Sequence, residues 1–296
     1  MDRRDFLKSA IIAGAGITIA PSLLKADSSI PAELTVVKGD DPAKITKKAV
    51  ELLGGMLKFI GKGDVVIVKP NIGWDRVPEL AADTNPFVVK AIVEMALDAG
   101  AKSVKVMDNP CNDARRCYMR SGIKNAAEEG GASVEYMDER KYKDIEVGGG
   151  VLKKWPVYID FLEADKIINV PILKHHGLSQ VTIGMKNWFG AVGGRRNLLH
   201  QDIHQSMVDM SNFFKPALTV VDAYRVRVQN GPQGTNPADV RLEKTIVASA
   251  NPLSADAYSA TLLGHKPMDL PFLRISSGGN QGKLDISKYN IVSVTV

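Results

Sequence analysis

Cysteine is almost missing from this chain of 296 residues, with Cys111 and Cys117 the only two. Two thiols are too few for a cysteine-ligated iron-sulfur cluster or for a disulfide scaffold. Long apolar runs are missing as well: residues 9–20 form a mildly apolar stretch too short for a bilayer, and no later run reaches that length. Charge of one sign is not in large excess either. The formal net charge of +5 is too weak to argue for nucleic acid as a partner. Neither G-x-G-x-x-G nor a Walker loop occurs, so the usual nucleotide signatures are absent. No internal repeat or low-complexity linker divides the sequence.

What is present at the N-terminus is an export pattern. Arg3-Arg4-Asp5-Phe6-Leu7-Lys8 precedes the Gly/Ala-rich apolar stretch, an arrangement similar to a twin-arginine signal peptide. The alternative is a basic amphipathic helix lying on the protein. Residues 1–26 are expected to be read by the twin-arginine translocase and cleaved after Ala26, with no lipobox cysteine to hold the product on a membrane. The expected location is periplasmic or extracellular, without stable membrane insertion after cleavage. This route carries folded proteins, which suits a cofactor loaded before export; a metal ion is one candidate, an iron-sulfur cluster is not. The remaining length suffices for one large α/β domain or two closely packed ones. It reads as a single domain over residues 33–296, with a subdomain boundary near Gly148-Gly149-Gly150.

The basic residues that matter are concentrated. The run KHHGLSQVTIGMKNWFGAVGGRRNLLHQDIH, residues 174–204, holds four of the five histidines, Lys174, Lys186, Arg195, Arg196 and five glycines against one acid, Asp202. Glycine costs backbone entropy and is kept mainly where the chain must bend or approach a ligand closely. So much imidazole and cation beside so much glycine points to a site for an anion, or for a metal with an anion.

Hydrophobic periodicity places that run in a fold. Residues 45–60 read as a helix, 64–69 as a buried strand, 86–99 as a helix, 103–107 as a strand, 114–129 as a helix and 133–136 as a short strand. Strand-helix-strand-helix-strand is the signature of a parallel sheet, whose ligands bind at the carboxyl ends of the strands. In the second half, the apolar strand 166–173 runs into Lys174-His175-His176, residues 198–214 read as a helix, and 217–221 as a strand ending at Asp222. Residues 225–241 read as a loop or flap, 245–249 as a strand, 254–263 as a helix and 289–296 as a final strand. The fold class is therefore α/β, a mostly parallel or mixed sheet with helices on both faces.

Several residue groups carry chemistry. Lys69-Pro70-Asn71-Ile72-Gly73 ends the first strand, where the lysine and amide could fix a carboxylate or phosphate; the alternative is a simple turn with a solvated lysine. His175 and His176 point to opposite sides of a strand, so one of them is structural. His200 and His204 lie four apart on the expected helix and share a face, either as a two-imidazole metal clip or as ordinary surface residues. Lys186 and Asn187 lie between the two histidine groups. Asp222 and Asp256 could supply carboxylates to the same cleft, or cap a turn and a first helical turn. Cys111 sits at a strand's carboxyl edge as a nucleophile, as half of a small disulfide with Cys117, or as an inert thiol.

Together these motifs produce a resemblance. The order Val68-Lys69-Pro70-Asn71, Thr84-Asn85-Pro86, Val170-Pro171-Ile172-Leu173-Lys174-His175-His176, then Gly184-Met185-Lys186-Asn187-Trp188-Phe189-Gly190 resembles the family termed domain of unknown function 362. Val221-Asp222-Ala223, Gly231-Pro232 and Ala248-Ser249-Ala250-Asn251-Pro252 continue it. The resemblance implies an α/β fold and brings no established reaction. Many relatives carry a ferredoxin-like cysteine cluster that this chain lacks. The family's Lys-x-His pattern implies His176 rather than His175 as the functional imidazole. A more distant likeness to the plan of nickel-dependent lactate racemases is at the level of fold. The expected function is an enzyme acting on a small carboxylate- or phosphate-bearing compound. His176 would transfer protons, Lys174 and Lys186 stabilise charge, and Lys69, Asn71, Asn187 and Asp222 hold the ligand. The alternative is a periplasmic protein that binds an anion or metal without chemistry.

Overall fold

Strands that are apolar on both sides build the centre of the molecule, whose computed structural model describes residues 32–296. The leader pattern lies outside the described residues. The first half runs β1 (Leu34–Lys38), α1 (Pro42–Leu52), β2 (Val65–Pro70), α2 (Pro86–Asp98), β3 (Ser103–Val106), α3 (Ala114–Arg120), α4 (Ile123–Glu129) and β4 (Ser133–Val134). A hairpin of β5 (Tyr142–Glu146) and β6 (Lys154–Tyr158) and the single turn α5 (Asp160–Glu163) follow. The second half runs β7 (Lys166–Val170), β8 (Ile172–His176), β9 (Gln180–Thr182), α6 (Gly184–Asn187), α7 (Ile203–Phe214), β10 (Leu218–Arg227), β11 (Val240–Ser249), α8 (Pro252–Leu262), α9 (Pro271–Ser276) and β12 (Ile291–Thr295).

The main sheet has the order β12-β1-β11-β10-β7-β2-β3-β4, with β8 continuing beside β10 and β9 folding back on β8. Strands β10, β7, β2, β3 and β4 are parallel neighbours, and β12 is parallel to β1; β11 is antiparallel to both β1 and β10. This is a mostly parallel mixed α/β sheet. Alternate residues of each strand feed opposite cores, as a period of two requires. Val66 and Val68 pack with Ile45 of α1 and Ile92 of α2 on one face. Ile67 faces the other core, which holds Met207 of α7 and Ala257 of α8. No helix among the described residues is long and apolar enough to cross a membrane.

Several boundaries depart from the hydrophobic pattern for identifiable reasons. The helix expected over 114–129 is two, parted at Gly122, whose φ of 74° is left-handed. The strand expected over 166–173 is broken into two, Lys166–Val170 and Ile172–His176, because Pro171 has no N–H for the ladder. The expected terminus at Asp222 is mid-strand: β10 continues to Arg227, and the loop shrinks to residues 228–239. The helix expected over 198–214 is a 3-10 turn, Arg196–His200, followed by α7. Asp202, at φ −130° and ψ 70°, separates them and caps α7 by accepting from Gln205 N. Gly148-Gly149-Gly150 lies between β5 and β6, where the N–H groups of Gly150, Val151 and Leu152 all donate to the Asp209 carboxylate of α7.

Candidate functional site

At the carboxyl ends of β2, β3 and β8 lies a cavity of about 470 Å³ whose walls include Asn71, Lys174, His176, Lys186, Asn187 and His200. Ligands of open parallel sheets bind at this edge. Six residues that the sequence spreads from 71 to 200 thus meet around one space.

Its floor is a buried polar network. Lys69, on β2 and fully buried, gives its ammonium to Asp108 Oδ1 at 2.7 Å, to its neighbour's carbonyl at Pro70 and to Asn187 Oδ1. The second Asp108 oxygen accepts from Ile72 N at 2.6 Å. Asn187 uses all four of its hydrogen-bonding positions on protein: Nδ2 donates to Lys69 O and Asn169 Oδ1, while Oδ1 accepts from Lys69 and Asn71. Asn71 Oδ1 accepts from the Lys174 ammonium at 2.9 Å, and Lys174 also donates to Ala82 O. Lys69 and Asn187, expected to hold a ligand, are instead committed to bracing the floor. Asn71, which lines the cavity, has a second amide hydrogen that no protein group accepts.

The backbone is shaped to allow this. Asp256 of α8, fully buried, accepts from Gly184 N and Met185 N at 2.9 Å each and so fixes the first turn of α6, which carries Lys186 and Asn187. Gly190 passes so close to the Lys69–Asp108 pair that a Cβ there would sit 2.8 Å from the Lys69 ammonium and would overlap Asp108 Oδ1. Arg196 ties the rim together by donating to Asn109 O, Pro110 O and Phe189 O.

Burial without compensating partners sets the electrostatics. Desolvation lowers the Lys174 ammonium and raises the nearby Asp83 carboxyl, the mutual attraction of the two opposing both shifts. Desolvation and then Lys174 push Lys186 down to about 8. Lys186 differs from the other two lysines in having no hydrogen bond or ion pair; its ammonium lies 5.0 Å from the Phe189 ring centroid. Thr182, on the cavity wall, is 3% exposed and its Oγ1 has no partner.

The two imidazoles on the wall are near-parallel, with centroids 6.4 Å apart and planes inclined by 22°. Nδ1 of His176 accepts from Leu178 N and Ser179 N at 3.2 Å each, so the proton of the neutral ring sits on Nε2. Burial and the neighbouring Lys186 and Lys174 push this ring down to about 3. His176, expected to transfer a proton, is thereby a fixed N–H donor at neutral pH. His200 is the opposite: its Nδ1 lies 3.3 Å from Arg196 O, which can only accept, so Nδ1 carries the proton and Nε2 keeps its lone pair. Burial lowers His200 as well.

Two expectations fail on geometry. His200 and His204 do not share a helix face, because Asp202 ends the 3-10 turn between them; His204 lies outside the cavity with a buried, unpartnered Nδ1. Among the described residues no three His, Cys, Asp or Glu side chains are grouped to hold a metal. Asp222 is buried in β10 and accepts from Asn85 N and Tyr224 N at 2.7 and 2.9 Å, far from any role at the cavity wall. His175, on the opposite side of β8 from His176, accepts from Gly231 N and fastens the 228–239 loop. Cys111 and Cys117 are both free; Cys111 is exposed at the cavity, whereas burial pushes the Cys117 thiol up to about 12. The sequence pattern does not single out Asp108 or Thr182. Asp108 follows β3 directly, and that position at a strand's carboxyl end is the signal that would find it.

Fold and site together define a mixed-sheet α/β protein with a cation-lined cavity at the strand ends. The chain belongs to the family described as domain of unknown function (DUF362), whose profile matches residues 66–261. It is 28% identical over 240 residues to the thylakoid-associated protein sll1697 of Synechocystis sp., covering 75% of this chain and 70% of that one. Among solved structures it is similar to the lactate racemase apoprotein of Thermoanaerobacterium thermosaccharolyticum, at 14% identity and a TM-score of 0.46 over 78% of this chain. A protein from Thermotoga maritima is similar at 14% identity and a TM-score of 0.42 over 76% of this chain. The chain spans 57% and 60% of the length of those two structures.

Proposed function

We propose that the cavity binds a small compound bearing a carboxylate or phosphate and catalyses proton transfer on it. The observation that carries this reading is Lys186, a desolvated ammonium without a protein partner that faces the same space as Lys174. Lys186 is half-buried, and a cation that has lost part of its water without gaining a counter-charge carries a cost that an anionic ligand would offset. Lys186 and Lys174 would then hold the anion or a developing oxyanion. Nε2–H of His176 would donate to the same oxygen, and Nε2 of His200 would accept a proton. Two neutral imidazoles with opposite tautomers give one donor and one acceptor without a change of net charge.

Titration calorimetry with sulfate and with pyruvate tests the binding step. Saturable binding that is lost in Lys186→Met supports it; no heat with either anion removes the reading.

Export belongs to the proposal too. The twin-arginine pattern at Arg3-Arg4 supports delivery across the cytoplasmic membrane, and the Synechocystis relative is a thylakoid-associated protein. Replacing both arginines with lysine should hold the protein in the cytoplasm, and unchanged delivery would refute the assignment.

A further inference from the structure

We propose that Lys186 forms a covalent imine with a carbonyl compound that also carries a carboxylate, such as an α-keto acid. The proposal rests on the anion-site reading and adds the substrate class. Three lysines gather at this site, and their partners sort them. Lys69 is held by Asp108, Pro70 O and Asn187. Lys174 is held by Asn71 and Ala82 O. Lys186 alone of the three has no hydrogen bond, and it lies against the Phe189 ring in a cavity also walled by Trp74 and Pro232. An amine becomes a nucleophile when an apolar pocket and a neighbouring cation strip it of its proton. With burial and Lys174 holding it near 8, about a tenth of Lys186 is neutral at pH 7, against less than about one part in a thousand for an ordinary lysine.

The neighbours supply the remaining steps. The Lys186 nitrogen lone pair forms a bond to the carbonyl carbon, and the C=O π pair moves to oxygen, which takes a proton from the Lys174 ammonium. Nε2 of His200 removes a proton from the resulting N–H₂⁺ and returns it to the carbinolamine hydroxyl, which leaves as water. The nitrogen lone pair then closes C=N⁺. The net change is condensation with loss of one water, the positive charge given up by Lys174 ending on the iminium; nothing is oxidised or reduced. The carboxylate, the one charged group of the substrate, is served by Asn71 and by the unpartnered Thr182 hydroxyl on the same wall.

The test is reductive trapping. The full chain is incubated with pyruvate or glyoxylate and sodium cyanoborohydride, and the adduct is located by intact-mass and peptide mass spectrometry. Any hemithioacetal at Cys111 is not reduced and washes out. A single stable adduct at Lys186, formed at least about tenfold faster than at exposed lysines such as Lys283 because of its larger neutral fraction, and absent in Lys186→Arg, is the expected result. Mapping on the wild-type chain decides the site even if that variant folds poorly. Labelling spread evenly over surface lysines, or no labelling, overturns the imine. Calorimetry without reductant separates the two claims. Pyruvate that binds but forms no adduct removes the imine and leaves the anion site; if neither pyruvate nor sulfate binds, both fall.

Discussion

Two hollows at opposite edges of the sheet each gather lysines, and they treat them differently. The larger, about 640 Å³, lies where β1, β10 and β12 begin and is walled by Lys215, Lys283 and Lys288. All three are exposed, Lys288 pairs with Asp285 at 3.5 Å, and the N-terminus of α8 beside them is already capped by Asn251. Their charges are hydrated and cost little to keep. The smaller hollow, at the carboxyl edge, holds Lys174 and Lys186 above the buried Lys69, and water cannot solvate them to the same degree. Size and lysine count therefore favour the other edge over the proposed one. What separates a site from a surface here is how many of its cations have lost water without gaining a full set of partners.

The sharpest way to break that contrast is to remove one lysine from each edge. Lys69→Met leaves the Asp108 carboxylate buried without its cation and should cost about 3–5 kcal/mol of stability. Lys283→Met should stay within about 0.5 kcal/mol. Urea denaturation midpoints measure both, and similar losses would mean that burial is not what distinguishes the edges.

Ligand affinity comes next. Lys186→Met should weaken sulfate binding by about ten- to a hundredfold, the value of about 1.5–3 kcal/mol for a hydrogen bond to a charged group. Lys288→Met should leave it unchanged, and a loss confined to Lys288→Met would move the anion site to the other hollow.

A smaller effect follows from pH. Sulfate affinity should fall as pH rises through about 8, the folded value of both Lys186 and Lys174, because the ammonium groups that hold the anion are lost; in Lys186→Met the fall should be shallower, since only Lys174 is left to titrate. Stability without ligand moves the other way. The folded value of Lys186 lies below the ordinary 10.5, so between about pH 8 and 10.5 the unfolded chain binds more protons at this residue, and its contribution to stability rises with pH. The unfolding free energy of the wild type relative to Lys186→Met should therefore increase across that window.

The least effect is expected at His204. Its Nδ1 has no partner and it lies away from the cavity, so His204→Ala should change stability by no more than about 0.5 kcal/mol and leave zinc content as it is in the wild type. A marked loss of bound zinc would restore a role for it.

The sheet's parallel half was legible because β2, α2 and β3 follow simple periodicities, and the resemblance motifs at 69–71 and 174–187 mark the strand ends. The strand β1 and the β5–β6 hairpin were not legible: Leu34-Thr35-Val36-Val37-Lys38 is short, and its place beside β11 is set by long-range pairing. Residue selection at the site was partly legible. Lys174, His176, Lys186 and His200 do meet, but which of them face a ligand depends on hydrogen bonds that spacing does not encode. Lys69 and Asn187 are withdrawn by Asp108 and Asn169, and the tautomers of His176 and His200 depend on a turn at 178–179 and a carbonyl at 196. His204 was misplaced because a helical spacing of four was read across Asp202, where the helix begins anew.

Gly190 turns the Lys69–Asp108 pair into something that can be looked for in other sequences. Gly177, in the same glycine-rich run, has nothing within 4 Å of an added Cβ, so its letter could drift to alanine without consequence for the floor. At position 190 even a methyl group must displace either the ammonium or the carboxylate. A homologous chain that builds the same floor is therefore bound to three letters together: a lysine before Pro-Asn at one strand end, an aspartate at the next, and a glycine three places after Lys-Asn. A chain with a larger residue at the third position must have abandoned at least one of the other two.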